Sequence, residues 1–390
     1  MRIYLKKGRE APVLRGHPWI FSGAIESAKG DTERPGVADV FDATGKFLAR
    51  GLFSPKSQIR VRILTSHEER IDQEFFSRRI AAALAVRERY LAQVTNAYRI
   101  INGEGDFLPG LIVDRYTDYL VCQFFTAGTE AFKSEIVTAL SELPFCRGVF
   151  DKSEGRVRVE EGLEPSIRPL SGDSPPEHVT IEENGYKFIV DIIGGQKTGF
   201  FLDQRDNRTF LATLVRGASV LNCFSYTGAF SIYAFGGGAT RVISLDSSRP
   251  ALNVAMRNLE INNFAEIPGQ VLKADAFTYL KETDARFDVI VLDPPSLARK
   301  GSDVSAATGG YKFLNLHALR HLNQSGVLLT FSCSQHLSID LFQKVVFGAA
   351  VDAGRRVQIL KRLSQPIDHP VSLHHPEGEY LKGLALRVLD

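Results

Sequence analysis

No two cysteines in this chain are spaced for a bridge or a metal. The four, Cys122, Cys146, Cys223 and Cys333, are scattered through 390 residues without a C-x-x-C. That excludes a disulfide-stapled scaffold and a cysteine zinc site, and it points to a reducing compartment. Long apolar runs are missing as well: no stretch approaches the ~20 residues of a membrane span. The N-terminal MRIYLKKGRE lacks the apolar core of a secretory signal. A cytoplasmic protein with no membrane and no metal partner is expected. An excess of one charge is also lacking. With 47 Lys and Arg against 45 Asp and Glu the net charge is +2, so any surface for a polyanion must be local. Residues 1–73 hold 13 basic and 9 acidic side chains, a surplus of four. Internal repeats and low-complexity tracts are absent from the sequence.

The chain is long for a single core, and two or three domains are expected. Residues 1–73 contain short alternating segments, at 36–41 and 59–64, broken by glycine and proline, which suits a small, strongly curved β-domain. Residues 73–94 read as a long amphipathic helix, with Phe75, Phe76, Ile80, Leu84 and Tyr90 at helical spacing. Strands are expected at 110–113, 119–125, 148–151 and 157–160, with a helix at 131–140, so that 74–173 forms a small α+β module. The breaker-rich LSGDSPPE at 170–177 is the expected linker. From 174 to 390, strand signals at 219–223, 241–245, 271–274, 287–292 and 326–331 are each followed by a helical pattern. This alternation predicts an α/β fold with a doubly wound, mainly parallel sheet.

In such a sheet, ligands bind beyond the carboxyl ends of the strands. The first strand runs into VLNCFSYTGAFS at 220–231, where Gly228 opens the helix and lets backbone approach a ligand. The second ends in Asp246, whose carboxylate can accept from both hydroxyls of a ribose. A dinucleotide would need the G-x-G-x-x-G that brings backbone to a pyrophosphate. This turn has Gly228 alone, with Tyr226 and Thr227 beside it. S-adenosylmethionine (SAM) has a ribose and no phosphate, so it fits the turn better. The expected cofactor contacts are Asn222, Phe224, Tyr226, Thr227, Gly228, Asp246, Asp275 at the third strand's end, and Asp293. Asp275 has a second reading, as the cap of the helix that starts at Ala276.

The fourth strand ends in VLDPPSLARK. A carboxylate followed by Pro294 and Pro295 makes a rigid, exposed corner, because each proline fixes φ and removes a donor. Asp293 would meet an amide-bearing planar group such as a nucleobase, as in methyltransferases that carry D/N-P-P-x at this place. The fifth strand ends in LLTFSCS, with Cys333 on the same crevice. An exocyclic amine carries its own lone pair and needs no covalent help. Carbon 5 of a pyrimidine becomes nucleophilic only when a thiolate adds at carbon 6. Cys333 is thus the expected nucleophile, with Asp293 as its catalytic partner, while Cys223 in the cofactor turn reads as packing.

GGQKTGFFLDQRDNR (194–208), VLNCFSYTGAFS, VLDPPSLARK, GYKFLNLHAL (310–319), LLTFSCS and DHPVSLHHPEGEYLKG (368–383) together resemble the bacterial ribosomal large-subunit RNA methyltransferase I family. LKKGREAPVLRGHPWIFSGAI (5–25) resembles that family's PUA-type RNA-binding domain. The resemblance covers nearly the whole chain, least distinctively in the middle. It implies a PUA domain (1–73), a small central α+β domain (74–173) and a class I SAM-dependent methyltransferase domain (174–390) with a Rossmann-like sheet. It implies 5-methylcytosine formation in 23S ribosomal RNA, with Cys333 as nucleophile and Asp293 bonding the cytosine N3/N4 edge. Many RNA 5-methylcytosine enzymes carry a second cysteine directly after the prolines. Here that position is Ser296, which leaves the removal of the carbon-5 proton open.

The target base has to be single-stranded or flipped for its carbon 6 to be reached. Lys6, Lys7, Arg9, Arg15 and His17 are the expected RNA contacts, with Trp19 and Phe21 as core or stacking residues. Two other readings remain open at this point: an N-methyltransferase acting on an exocyclic amine at the DPP corner, and a non-catalytic RNA-binding protein. The sequence is compatible with a homodimer and does not require one.

Overall fold

The computed structural model describes residues 1–266, 269–298 and 303–390; Arg299 and Lys300, the end of the LDPPSLARK motif, lie outside the described residues. By its internal contacts the chain divides into two compact units. The first comprises Met1–Asn184, Val190–Leu202 and Ile367–Gly378; the second comprises Gly185–Ile189, Asp203–Pro366 and Glu379–Asp390.

The first unit holds two sheets. One has six short strands in the order Trp19–Phe21, Ile59–Thr65, Phe47–Phe53, Gly36–Phe41, Arg2–Leu5, Ile25–Lys29. Every neighbouring pair is antiparallel except Arg2–Leu5 beside Gly36–Phe41. Alternate residues such as Ile3, Leu5, Ala38 and Val40 point inward to its core. The other sheet has five strands in the order Ser166–Gly172, Gly148–Ser153, Tyr119–Phe124, Leu111–Tyr116, Ala97–Asn102. The helices Gln73–Leu91 and Lys133–Ser141 pack against it through Phe75, Phe76, Ile80, Leu84, Ile136 and Leu140. The long helix starts where Asp72 accepts from the Phe75 N–H at 3.2 Å, the N-terminal cap expected of an aspartate.

The sequence pattern misleads at two places here. Residues 157–160 form a short helix, Arg156–Glu161, instead of a strand. The Val-Arg-Val-Glu alternation suggests buried valines, yet Val157 and Val159 are exposed and Arg158 is buried. The arginine donates to the Phe124 carbonyl and, at 3.0 Å, to the Glu164 carbonyl, which no alternation rule anticipates. The breaker-rich stretch at 170–177 also begins inside the strand Ser166–Gly172.

Ile367–Gly378 is bound into this unit by buried polar contacts. Arg87 grips Asp106 with two bonds of 2.6 Å and donates at 3.0 Å to the Asp368 carbonyl. Asp368 Oδ2 accepts from the Arg99 N–H at 3.0 Å. Asn102 Nδ2 donates to the Pro370 carbonyl at 3.0 Å, and a Cβ at Gly105 would lie 2.0 Å from that oxygen, so only glycine allows the approach. Further along, His375 is buried against Trp19, ring centroids 4.4 Å apart. Neither of its ring nitrogens has a hydrogen-bond partner among the described residues.

Burial pushes the His375 pKa below its ordinary 6.5, with His17 adding to this and Glu104 and Glu377 opposing it. A depressed histidine takes up its proton more readily in the unfolded chain. Stability is therefore full above about pH 6.5 and falls as pH drops below it. The melting temperature should drop between pH 7.5 and 5.5, and His375→Gln should flatten that drop. Thermal melts across this range would show the same slope in both proteins if His375 were neutralised some other way.

The second unit is built on a seven-stranded sheet: β1 (Ser219–Cys223), β2 (Arg241–Asp246), β3 (Gly269–Lys273), β4 (Phe287–Leu292), β5 (Leu322–Ser332), β6 (Val357–Leu363) and β7 (Lys382–Val388). Its order is β3-β2-β1-β4-β5-β7-β6. The first five strands are mutually parallel, and β7 runs antiparallel to both β5 and β6. The connecting helices are α1 (Ala229–Gly236), α2 (Arg249–Ile261), α3 (Ala276–Glu282), α4 (Val304–Arg320) and α5 (Ile339–Ala353). Strands β1 and β4 are almost wholly buried because helices cover both faces. One apolar cluster includes Leu221, Leu245, Ile290, Tyr311 and Leu328; the other includes Val220, Val242, Val291, Leu329 and Phe331. Adjacent residues on each strand thus serve opposite faces. The reversal of strand order between β1 and β4 opens a crevice at the carboxyl ends, where the named side chains gather.

Candidate active site

The turn after β1 takes three left-handed residues in alternation, Phe224 (φ 58°), Tyr226 (φ 48°) and Gly228 (φ 79°). Two of these are bulky and pay for that conformation, as residues at functional sites often do. Gly228 has a further reason to be glycine: a Cβ there would meet Ala255 Cβ at 3.1 Å. The turn is fastened at several points. Ser225 N–H donates to the Leu245 carbonyl at 3.0 Å. Asn258 Nδ2 donates to the Thr227 carbonyl at 2.9 Å. Asp246 Oδ2 accepts from the Tyr226 N–H at 2.9 Å, and its Oδ1 accepts from the Ser248 N–H at 2.8 Å. The β2 carboxylate therefore shapes the cofactor turn itself.

Two buried acceptors in this turn lack partners among the described residues, Asn222 Oδ1 and Ser225 Oγ. Asn222 is oriented through its other end, Nδ2, which donates to Ser231 Oγ at 2.9 Å. Unpaired buried polar groups are costly unless a ligand satisfies them. The orphaned acceptors, the half-buried Asp246 and a turn with one helix-opening glycine fit a ribose-bearing ligand without phosphates. Asp275 caps α3 by accepting from Thr278 N–H at 2.9 Å and Thr278 Oγ1 at 3.0 Å. The structure shows the cap reading of Asp275, made through Oδ1, and leaves the side chain exposed.

Asp293 is half-buried at the tip of β4, with Pro294 buried and Pro295 exposed. A chain of hydroxyls ties this corner to the tip of β5. Ser296 Oγ lies 3.0 Å from Ser334 Oγ and donates to the Ala298 carbonyl at 2.9 Å. Ser334 Oγ is 2.9 Å from Tyr311 Oη, which accepts from Ser332 Oγ at 2.9 Å. The two serines around Cys333 are fully buried while Cys333 itself is half-exposed. This answers why the motif is Ser-Cys-Ser: the hydroxyls anchor the strand tip and leave the thiol turned to the opposite face, against the Phe331 side of the core. Burial and the nearby Cys333 raise the Tyr311 pKa, so it acts here as a neutral hydroxyl. Cys223 is buried in the core with its thiol pushed far up by burial, which fits packing.

Tyr311, Ser334 and Lys382 escape a reading of local sequence. Lys382 lies 48 residues from the carbonyl of Ser334 that it bonds at 2.8 Å, so no short spacing reveals the pair. The expected RNA contacts lie in the first unit. Lys6, Lys7, Arg9 and Arg15 are exposed. His17 is half-buried, its Nδ1 accepting from the Trp19 N–H at 3.2 Å. Trp19 is committed too, donating from Nε1 to Glu104 at 2.7 Å; Phe21 is exposed. Among the described residues, no helix is long and apolar enough to cross a membrane, and no group of His, Cys, Asp or Glu is arranged to hold a metal.

Comparison with known proteins gives the family and the domains. Residues 3–66 match the model of a PUA-like domain, and residues 150–373 that of an S-adenosylmethionine-dependent methyltransferase. The ribosomal RNA large subunit methyltransferase I of Tolumonas auensis is 47% identical over 394 residues, 99% of each chain. The protein of that name from Escherichia coli (strain SMS-3-5 / SECEC) is 45% identical over 396 residues and all of both chains. Among solved structures, SMU.776, put forward as a methyltransferase and crystallised with SAH, superposes with a TM-score of 0.87 at 25% identity over all of both chains. The cofactor is S-adenosylmethionine and the fold is a PUA-like domain joined to a SAM-dependent methyltransferase. With nearly half of its residues shared across the full length, the chain belongs to the ribosomal RNA large subunit methyltransferase I family.

Proposed function

We propose that this protein methylates carbon 5 of a cytosine in 23S ribosomal RNA through a covalent bond from Cys333 to carbon 6. One observation carries the reading: Cys333 directly follows β5, the strand next to the DPP corner, and the Ser334–Ser296 contact of 3.0 Å ties the two tips together. When bound, SAM supplies an electrophilic methyl group. Asn222, Phe224, Tyr226, Thr227, Gly228, Asp246 and Asp275 are the residues that would hold it. Asp293 and the Pro294–Pro295 corner would hold the base edge. Addition of Cys333 Sγ to C6 would place the C5–C6 π pair on C5, which would take the methyl group as its bond to sulfur breaks and S-adenosylhomocysteine leaves. Loss of the C5 proton to water restores the double bond and expels the thiolate. Ser296 stands where a second cysteine helps release in many such enzymes, and its hydroxyl is engaged with Ser334 and Ala298.

The test is nucleoside mass spectrometry of ribosomal RNA from a strain lacking the protein, with the gene restored or not. One 5-methylcytosine should vanish and return. A lost N-methylated base would favour the exocyclic-amine reading, and an unchanged nucleoside set would favour a binding protein.

In this reading residues 1–73 form the docking domain, 74–173 a small central α+β domain, and 174–390 the catalytic domain. Replacing Lys6, Lys7 and Arg9 together by alanine should weaken RNA binding and leave SAM affinity unchanged. Each lost phosphate contact lowers the slope of log K on log salt by roughly 0.7–0.9. A filter-binding salt titration with an unaltered slope and affinity would remove these three side chains from the RNA surface.

A further inference from the structure

Lys382 begins β7, paired in register with Ser332 of β5. Its side chain starts on the face of Ser332 and reaches past the strand tip, where the ammonium meets the carbonyl of the residue that follows Cys333. It is only 4% exposed, and lysines are almost never so buried unless paired. Two of its protons go to neutral carbonyls, that of Ser334 at 2.8 Å and that of Tyr380 at 2.7 Å. No carboxylate forms an ion pair with it among the described residues. Cys333 and Glu379 are near enough for their charges to act on it.

On the same tip, the hydroxyls of Ser332, Ser334, Tyr311 and Ser296 satisfy one another. They fix the backbone on both sides of Cys333 and carry no charge. Lys382 is thus a buried cation at this place.

We infer that Lys382 is a positioning residue: its buried ammonium holds Cys333 as a thiolate at neutral pH, and its bond to the Ser334 carbonyl fixes the angle of the strand tip. The inference rests on the reading of Cys333 as the nucleophile. A thiolate, not a thiol, adds to an electrophilic carbon, and an unassisted cysteine near pKa 8.5 is only a few per cent ionised at pH 7. Burial brings the pKa of Lys382 below its ordinary value, and the charges of Cys333 and Glu379 oppose that fall. An ionised Cys333 therefore favours the buried ammonium, as the ammonium favours the thiolate, and Glu379 acts in the same sense on Lys382.

The test uses the full-length protein and needs no RNA. The rate of Cys333 alkylation by iodoacetamide is measured from pH 5.5 to 9.5, with site assignment by peptide mass spectrometry. Wild type should show a midpoint below about 7.5. Lys382→Gln, which keeps a donor and loses the charge, should move the midpoint up by about one unit and slow alkylation at pH 7 by roughly tenfold. Lys382→Arg should restore most of the rate. Cys146, half-buried on the first unit, should keep its midpoint in every variant. SAM affinity within threefold of wild type certifies the fold. A wild-type midpoint in the ordinary thiol range near 8.5 overturns the inference, even if no variant folds; so does one midpoint shared by wild type and Lys382→Gln. Because alkylation is read apart from methylation, a shifted midpoint together with RNA that lacks 5-methylcytosine would condemn the carbon-5 reaction and not the role of Lys382.

Discussion

Cys333→Ala should abolish methyl transfer to RNA and leave SAM affinity within about threefold of wild type, a change under 1 kcal/mol. The two effects separate because the two sites are fastened to different strands. The cofactor turn is held by Leu245, Asp246 and Asn258, on β2 and α2. The Cys333 tip is held by Ser296, Tyr311 and Ser334. Removing one sulfur from a half-exposed site makes little cavity, so folding should survive. Without the thiolate, carbon 5 of cytosine has no electron pair to offer, and no neighbouring hydroxyl substitutes: Ser332, Ser334 and Tyr311 are all engaged with one another. Turnover above a few per cent of wild type, measured by transfer of a labelled methyl group, would defeat the covalent reaction and favour attack by an exocyclic amine. Loss of SAM binding alongside activity would mean that the turn depends on the β5 tip in a way these contacts do not reveal.

The site residues that were legible in the sequence are those whose neighbours along the chain define their surroundings. Cys333 follows a buried apolar run, Asp293 precedes two prolines, and Asp246 ends VISL, so each can be placed at a strand tip from a few residues. β1 to β5 were legible for the same reason, since parallel strands covered on both faces read as continuous apolar segments. β6 and β7 were not. Most of β6 is exposed on an edge, so VQILKRL carries no strand alternation. β7 follows Ile367–Gly378, whose role in the first unit no local pattern announces. Lys382 was missed with its strand: its meaning lies in Ser334 and Cys333, far away in sequence. Arg158 shows the converse failure. There the pattern was clear and wrong, because two carbonyls outweighed the preference of valine for the interior. Asp275 was ambiguous for a third reason, since one carboxylate can cap a helix with one oxygen and present the other.

Asp246→Ala should weaken SAM binding by roughly 100-fold, and for two physical reasons that a second variant separates. The first is direct. A carboxylate accepting from two ribose hydroxyls makes charge-assisted bonds that contribute about 3 kcal/mol together, a factor of about 100 in affinity. The second acts through the protein. Asp246 already accepts from the N–H groups of Tyr226 and Ser248 at 2.9 and 2.8 Å, and the first of these helps to hold Tyr226 at its unfavourable φ of 48°. Alanine removes that restraint, so the turn must be ordered again when the cofactor binds. Asp246→Asn keeps one acceptor oxygen and loses the charge. It should fall between wild type and alanine if both causes operate, and match alanine if charge alone decides. Asp275→Ala serves as the contrast. It removes a cap from α3, which costs about 1 kcal/mol of stability, and should change SAM affinity far less than Asp246→Ala. Isothermal titration of the three variants measures all of this. An Asp246→Ala protein that binds SAM as wild type does would show that the ligand's ribose lies elsewhere in the crevice, and the assignment of the β2 tip would have to be abandoned.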